Sequence, residues 1–270
     1  MKSIIVESKF FLLLFWLISP TLLCQDLVKS GYVAKYDVVF LRDTSDVYSA
    51  KEEQMALYIG ENRSLYKSLN KDQVEKLQHE TLEKNIAAVK PGEVLMADFR
   101  KLPKINIKHE VLKINDSVYI ADDILTYRFQ YVAENHPKWT ILKDKKVING
   151  YECRNAVTEY NGRTYEAWFT PEIPFSEGPY TFKGLPGLIV TLQDQKKLFY
   201  FELRSFGKED TEALFRGGKW LSYKNFIKTR AEAKANIVGN LKLLLRKETM
   251  SKEEQELVKR NANRKNNYLD

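Results

Sequence analysis

The chain has 270 residues, of which 44% are hydrophobic and 12% aromatic, and a formal net charge of +7. This length and apolar content allow a sizeable core, so the fold does not depend on disulfides. The basic balance indicates either an anionic partner, such as lipopolysaccharide or phospholipid head groups, or a solvated surface with scattered Lys, and we favour the second.

The first 24 residues have the pattern of a secretory signal peptide. An apolar run from Phe10 to Leu23 follows Lys2 and Lys9, and it is shorter than the ~20 residues that span a bilayer. We expect an exported protein, periplasmic or secreted, cleaved after Cys24 and with no transmembrane segment in the mature chain. Export argues against a nucleic-acid partner. Acylation of Cys24, giving an outer-membrane lipoprotein, is the alternative, which the bulky leucines before it disfavour.

Loss of Cys24 would leave Cys153 as the only thiol, so no internal disulfide could form. The sequence shows no Pro/Gly/Ser linker and no repeat of fixed period. We therefore expect residues 25–270 to form one domain, with a helical extension over about 222–262.

The N-terminal half predicts strands interrupted by one helix. Alternating apolar residues from Gly31 to Arg42 indicate a half-buried strand. A hairpin, a helix that ends at Pro91-Gly92, and a three-stranded meander follow. The corresponding residues are 55–59 and 64–68 for the hairpin, 70–88 for the helix, and 105–114, 117–121 and 125–133 for the meander.

The second half continues the meander. Asn149-Gly150 and Asn161-Gly162 tolerate positive φ and predict tight turns between strands. Leu198 to Phe206 alternates clearly, with one apolar face. The remaining predicted strands are 139–142, 146–148, 151–160, 163–169 and 188–193.

The C-terminal segment predicts helices. Ser222 can cap one long helix whose single apolar stripe reaches Leu245 and docks, in the simplest arrangement, on the sheet. Ser251 and Glu254 form a capping box for a last short helix. The basic residues Lys259–Lys265 are expected to fray.

About ten antiparallel strands with few helices predict an α+β protein. We expect a β-rich, strongly curved, half-barrel-like antiparallel sheet with one edge helix and C-terminal helices. The arrangement is similar to the half-barrel of the LolA-type lipoprotein carriers, and a closed sandwich without a cavity is the alternative.

The stretch from Gly178 to Leu192 combines backbone-restricting residues with an apolar run. In one interpretation it is an exposed loop that clasps a partner through Trp168, Tyr180, Phe182, Leu185 and Pro186. In the other, which we favour, it is structural, because it leads directly into a buried strand. If so, we expect Pro186→Ala to lower stability and Leu185→Ala to leave it unchanged. The structural motif is Gly178, Pro179, Gly184, Leu185, Pro186, Gly187, Leu188 and Ile189.

The hexapeptide from Gly184 to Ile189 resembles the signature of the GLPGLI family, exported Gram-negative bacterial proteins with no established activity. Asn266-Asn267 is similar to a family ending in which Pro follows, whereas Tyr268 stands here. Other segments resemble the family pattern in order and spacing: Trp139, Ile148 to Ala156, Gly162-Arg163, Ala167 to Thr170, Ile173-Pro174 and Gly178-Pro179.

No familiar catalytic pattern is present, so we predict no catalytic residue, no cofactor and no metal site, and we lean against an enzyme. The three histidines, His79, His109 and His136, are far apart in sequence. We expect a protein that binds an apolar, lipid-like or peptide ligand in its curved sheet. The alternative is an interaction module that serves an outer-membrane or other cell-envelope protein. An enzyme with an unfamiliar site is the third class.

Overall fold

The computed structural model describes residues 26–88 and 102–269. The predicted signal peptide, Cys24 and the helix end at Pro91-Gly92 lie outside these residues. The strands are β1 (Asp26–Leu41), β2 (Ala50–Ile59), β3 (Arg63–Ser68), β4 (Glu110–Ile114), β5 (Ser117–Ile124), β6 (Tyr127–Val132), β7 (Thr140–Ile148), β8 (Tyr151–Tyr160), β9 (Arg163–Thr170), β10 (Leu188–Asp194), β11 (Phe199–Phe215) and β12 (Lys219–Trp220). The helices are α1 (Lys71–Ala88), α2 (Tyr223–Ala235), α3 (Ile237–Leu245) and α4 (Lys252–Asn263).

Within residues 26–88 and 102–269, twelve strands form one open sheet in the order β12-β6-β5-β4-β3-β2-β1-β11-β10-β9-β8-β7. Neighbours are antiparallel except for the two-residue β12, which runs parallel to β6. The predicted curved, β-rich α+β fold is confirmed. Two meanders, β1 to β6 and β7 to β11, are joined through β1 and β11, which pair from Asp26 opposite Phe215 to Phe40 opposite Phe199.

The predicted tight turns are present where a positive φ is needed. Asn149 and Gly150 have φ values of 52° and 85°, and Asn161 and Gly162 have 47° and 73°. Two successive positive φ values match the right-handed twist of a hairpin, which is why Asn-Gly fixes the register of β7 with β8 and of β8 with β9.

The central strands of the first meander are buried on both faces. Tyr66 and Val111 contribute to the main core, whereas their neighbours Leu65 and Leu112 belong to a second cluster with Phe215. Successive side chains of a strand point to opposite faces, so both sides of β3 and β4 are covered. The covering element on the second side is the end of β11, which continues into β12 at the far edge of the sheet.

The long C-terminal helix of the prediction is two helices that meet at Asn236. This residue leaves the helical region, with φ −100° and ψ 31°. The Asn240 side chain then donates to the carbonyl oxygen of Ala233 at 3.1 Å, which satisfies an acceptor near the end of α2. The Ser222 cap and the Ser251–Glu254 capping box are both present.

The two halves of the predicted helix have different surroundings. Phe226 of α2 is fully buried against Tyr131 of β6, with ring centroids 4.6 Å apart. None of the residues of α3 is buried, so α2 alone docks as predicted. Among the described residues, no helix has the length and apolar character needed to cross a membrane.

The C-terminus is attached to the body of the molecule rather than frayed. Helix α4 runs through most of the basic segment, and Asn266 then donates its backbone N–H to the Arg42 carbonyl oxygen at 3.1 Å. Leu269 is buried in the main core. The hydrogen bonds and this apolar contact hold the tail against the end of β1.

Candidate functional site

The motif loop, residues 171–187 between β9 and β10, turns back on its own exit strand. Leu188 donates its backbone N–H to the Ile173 carbonyl oxygen at 3.0 Å, and Ile189 donates to that of Glu177 at 3.0 Å. These bonds satisfy backbone groups that a buried loop would otherwise leave unpaired. The motif loop is therefore a compact, internally bonded unit.

Two glycines of the motif are required by close packing. Gly187 has a φ of 146°, and a Cβ there would collide with the carbonyl oxygen of Thr170. A Cβ on Gly178 would lie 2.5 Å from Ile189 Cδ1. A larger residue at either position would push the motif loop away from its own strand.

The aromatic residues of the motif loop lie inside the protein. Phe182 is fully buried, with its ring centroid 4.7 Å from that of Tyr165 and 5.3 Å from that of Tyr160. Trp139 covers the same ring and donates its indole N–H to the Lys183 carbonyl oxygen at 2.9 Å. Phe182 thus anchors the motif loop against β8 and β9.

The motif loop also reaches the first meander. Phe175 of the motif loop lies with its ring centroid 5.0 Å from that of Tyr32 of β1. Tyr36 of β1 donates its hydroxyl at 2.7 Å to the carbonyl oxygen of Ile189, just after the motif loop in β10. Lys113 of β4 places its Nζ 2.8 Å from Glu177 Oε2 and 2.8 Å from the Gly178 carbonyl oxygen. Contacts with β1, β4, β8 and β9 mean that the motif loop spans the concave side of the sheet.

The Lys113–Glu177 pair is an ion pair shielded from solvent. The Lys113 side chain is 1% exposed and that of Glu177 18%. Burial lowers the pKa of the Lys113 ammonium, and the Glu177 carboxylate opposes that shift. The carboxylate and the backbone carbonyl together satisfy two of the three ammonium donors.

Two cavities differ in size and position. One void of about 10 Å³ lies between the first meander and α2, lined by residues such as Ile120, Tyr131 and Tyr223. A larger cleft of about 590 Å³ lies outside the core, between the turn after β1 and α4. Its lining is polar and includes Asp43 and Arg264. Drug-sized ligand sites are typically 300–1,000 Å³ and mostly apolar.

The predicted binding residues fall into two groups. Tyr180, Phe182 and Leu185 are buried, and the first two lie with ring centroids 6.4 Å apart. Trp168 and Pro186 remain accessible in part. The burial of Leu185 reverses our expectation for its replacement by Ala, because a leucine that is 1% exposed contributes to the core.

Trp168 lies on the opposite face of β9 from the buried residues on either side of it. Its indole N–H donates to Glu166 Oε1 at 3.1 Å, and Lys146 Nζ lies 3.9 Å from its ring centroid. The second contact is a cation–π interaction with the edge strand β7. Trp168 therefore contacts the edge strand β7 with its ring face, while part of its side chain packs against the main core.

A second group of buried charges links β4 to β6 and to the chain after β11. Glu110 is fully buried, 2.7 Å from Lys71 Nζ and 3.2 Å from an Arg128 nitrogen, and it accepts the Arg216 backbone N–H at 2.7 Å. Burial lowers the pKa of Lys71. Lys71 and Arg128 contact Oε1 of Glu110, and the Arg216 N–H donates to Oε2. Because both oxygens have partners, a structural role accounts for this group of charges.

His109 is partly buried beside this charged group; its ring stacks on that of Tyr66 and meets that of Tyr180 edge-on. Burial, reinforced by Lys71 and Arg128, lowers its pKa to about 3. Its Nε2 has no hydrogen-bond partner among the described residues. The ring is neutral at physiological pH.

The other candidates for chemistry are dispersed. Cys153 is buried, and burial raises its pKa to about 11, which makes the thiolate scarce at neutral pH. His136 is exposed. Within residues 26–88 and 102–269, no three His, Cys, Asp or Glu side chains are grouped closely enough to hold a metal ion.

Sequence reasoning missed Lys113 and Glu177, the pair that holds the motif loop to β4. One signal was present: Lys113 interrupts the apolar strand Val111-Leu112-Lys113-Ile114, in which Val111 and Leu112 are buried. A lysine inside a buried strand needs a partner. Nothing in the sequence indicated that the partner lies 64 residues later.

Comparison with known proteins gives a match on this same region. The chain matches a family model described as a protein of unknown function (Porph_ging) over residues 158–191. The matched segment contains β9, the motif loop and the hexapeptide. No curated protein matches the chain.

Two structures of PNGF-II, in different space groups, are similar to the chain in part. They share 14% and 16% sequence identity with it, at TM-scores of 0.49 and 0.47. The alignments cover 75% and 74% of this chain and 33% of each PNGF-II chain. The chain thus spans about a third of the length of these proteins.

Proposed function

We propose that this protein is an exported, GLPGLI-type cell-envelope protein that acts as an interaction module and binds a partner protein on its outer surface. The observation that carries the proposal is that the protein's own motif loop occupies the concave side of the sheet. A carrier needs that space for its ligand.

Three elements fill the concavity from different directions. Phe182 of the motif loop packs on β8 and β9, Phe226 of α2 packs on β6, and Leu269 of the tail enters the same core. Each is buried, so a ligand would have to displace core side chains.

The free edge of the sheet supplies a surface for a partner. Within the described residues, β7 has β8 on one side and no strand on the other. Ile141 and Val147 on it are 40% and 70% exposed. An exposed strand edge can pair with an extended segment of another protein.

The composition of β7 restricts which segment could pair with it. Lys143, Lys145 and Lys146 lie on this edge, and the register of β7 with β8 is irregular between Ile141 and Lys145. Lysines and irregularities at an edge oppose pairing with a second copy of the same strand. We propose that the partner contributes an extended segment with acidic side chains.

Native mass spectrometry of residues 25–270, purified from the periplasm without detergent, separates the two functions. We expect the mass of the bare polypeptide. A reproducible extra mass that is lost on denaturation would overturn the proposal in favour of a carrier.

Site-specific crosslinking in cells tests the surface itself. A photo-crosslinking residue at Val147 should give a discrete adduct with one envelope protein. The matched control is Tyr48, which is 93% exposed but lies in the turn after β1. Equal adducts from both positions, or none from Val147, would contradict partner binding at β7.

A further inference from the structure

Helix α3 exposes an apolar surface that the rest of the described chain does not cover. Leu243, Leu244 and Leu245 are 80%, 43% and 57% exposed, and Leu257 of the neighbouring α4 is 50% exposed. Single exposed leucines are ordinary, but these three are consecutive, so they surround the last turn of α3 and make that end of the helix apolar, which defines the patch.

The positive charge of the protein is concentrated around this patch. Residues 222–270 contain 12 Lys and Arg against 6 Asp and Glu, which gives +6. Residues 25–221 contain 29 of each, which gives zero. The body of the protein is therefore neutral as a whole, and its C-terminal helical segment is cationic.

Basic side chains border the leucines directly. Lys242 precedes them and Arg246 and Lys247 follow, with Lys252 at the start of α4. Lys247 also pairs with Glu254 at 3.1 Å, where both side chains are about half exposed. An exposed ion pair of this kind contributes little and is readily exchanged for another anion.

We propose that α3 binds the surface of a bilayer that contains anionic phospholipids. The last turn of α3, where the leucines are exposed on several sides, enters the boundary between head groups and acyl chains, and the flanking Lys and Arg contact lipid phosphates. Apolar residues bordered by Lys and Arg are typical of helices that lie in the membrane interface. Nine residues make a helix of about 14 Å, so α3 lies on the bilayer rather than crossing its ~30 Å core.

The charge distribution selects a lipid surface over a second copy of the chain. Pairing two copies through α3 would bring two segments of +6 together, and like charges repel. An anionic bilayer has the opposite sign and attracts juxtaposed Lys and Arg. This inference uses a surface other than β7 and goes beyond the proposed binding of a partner protein.

Vesicle sedimentation tests the proposal with the full mature chain, residues 25–270. The probes are vesicles of phosphatidylcholine alone and vesicles with 30% phosphatidylglycerol. We expect binding to the anionic vesicles, little to the neutral ones, and a large loss at 0.5 M NaCl. Absence of binding to the anionic vesicles overturns the proposal and leaves a protein groove as the occupant of the patch.

Two variants assign the binding to α3. Leu243→Ser/Leu244→Ser/Leu245→Ser should weaken binding at least a hundredfold. Lys242→Gln/Arg246→Gln/Lys247→Gln should weaken it by about fivefold per residue, on the order of a hundredfold in total. The matched control, Val47→Ser/Tyr48→Ser, removes side chains that are 70% and 93% exposed elsewhere and should bind as wild type. Undiminished binding of the leucine variant overturns the assignment.

A fluorescent label reports which surface enters the bilayer. An environment-sensitive dye on Leu244→Cys should shift to the blue with anionic vesicles, and the same dye on Tyr48→Cys should not. Buried Cys153 gives no background labelling in the folded protein. A dimer in sedimentation velocity that dissociates in the leucine variant would overturn the proposal in favour of a second copy.

Discussion

Asn267 donates from its side-chain amide to the carbonyl oxygen of Leu41, 226 residues earlier, at 2.7 Å. Its side-chain oxygen accepts from Arg163 at 2.8 Å. One amide therefore bridges the C-terminal tail, the end of β1 and the start of β9. The same tail places Leu269 in the core.

We expect Asn267→Ala to lower the free energy of unfolding by about 2 kcal/mol, because the partners of the amide lose their hydrogen bonds. Release of the tail should also make Lys259–Lys265 more sensitive to trypsin. Urea denaturation and limited proteolysis measure the two effects. Asn261→Ala, at an exposed site on α4, is the control and should behave as wild type; unchanged stability of Asn267→Ala would show that the tail is not held by this amide.

The ion pair between Lys113 and Glu177 yields a second prediction. Lys113→Met should lower the free energy of unfolding by about 3 kcal/mol, because it leaves a largely buried carboxylate without its cation. Adding Glu177→Gln should restore part of the loss. Lys35→Met breaks an exposed pair with Glu209 and should cost less than 1 kcal/mol. Equal losses for Lys113→Met and Lys35→Met in urea titrations would contradict a buried role for the pair.

Leu185 and Pro186 should respond to Ala in the order opposite to that expected from the sequence. Leu185→Ala removes a fully packed side chain and should cost about 3 kcal/mol. Pro186→Ala, at an exposed position, should cost about 1 kcal/mol or less, through greater freedom of the unfolded chain. Thermal melts of the two variants provide the comparison of stability. A larger loss of stability for Pro186→Ala than for Leu185→Ala would mean that Leu185 is not a core residue.

His109 should make the protein sensitive to mild acid. Its folded-state pKa is about 3, whereas an unfolded histidine titrates near 6.5. Between these values the unfolded state binds the extra proton, so stability is complete above pH 6.5 and falls as the pH drops. The slope is about 1.4 kcal/mol per pH unit at most.

Comparison of variants isolates this contribution from that of the carboxylates. His109→Phe keeps a ring between Tyr66 and Tyr180 and should flatten the loss of stability between pH 6.5 and 4.5. His136→Gln, at an exposed position, should not. Urea midpoints at several pH values provide the measurement, and parallel curves for wild type and His109→Phe would rule His109 out as the source.

The local parts of this fold could be predicted from sequence. Asn149-Gly150 and Asn161-Gly162 fix hairpins because few residues adopt a positive φ without an energetic cost. Asn and Gly are residue types that do, so these turns can be recognised from the sequence. The alternation around Phe199 and Phe201 identifies the inner face of β11 for a similar reason. Each of these features depends on neighbours only a few residues away.

The long-range parts could not be predicted. The break at Asn236 is accompanied by a bond from the Asn240 side chain to the Ala233 carbonyl oxygen, and the tail that carries Leu269 is held by a bond to Leu41 at the end of β1. The burial of Tyr180 and Phe182 depends on the route of the motif loop across the concave side, which contacts with β4, β8 and β9 determine. The sequence alone does not distinguish aromatic residues of an exposed binding loop from those of a loop that packs into the core.

The pairing of β1 with β11 has a consequence for how the chain acquires its structure. Most strand pairs within each meander are hairpins between neighbouring segments, which can form early and independently. The seam between the two meanders is the pairing of β1 with β11, which joins the first strand of the described chain to residues as late as Phe215. Pairing residues so far apart in sequence has the largest entropic cost of loop closure. We therefore expect the seam to form last and to limit the folding rate. Until residue 215 has left the ribosome, one edge of β1 stays open to solvent and to other chains.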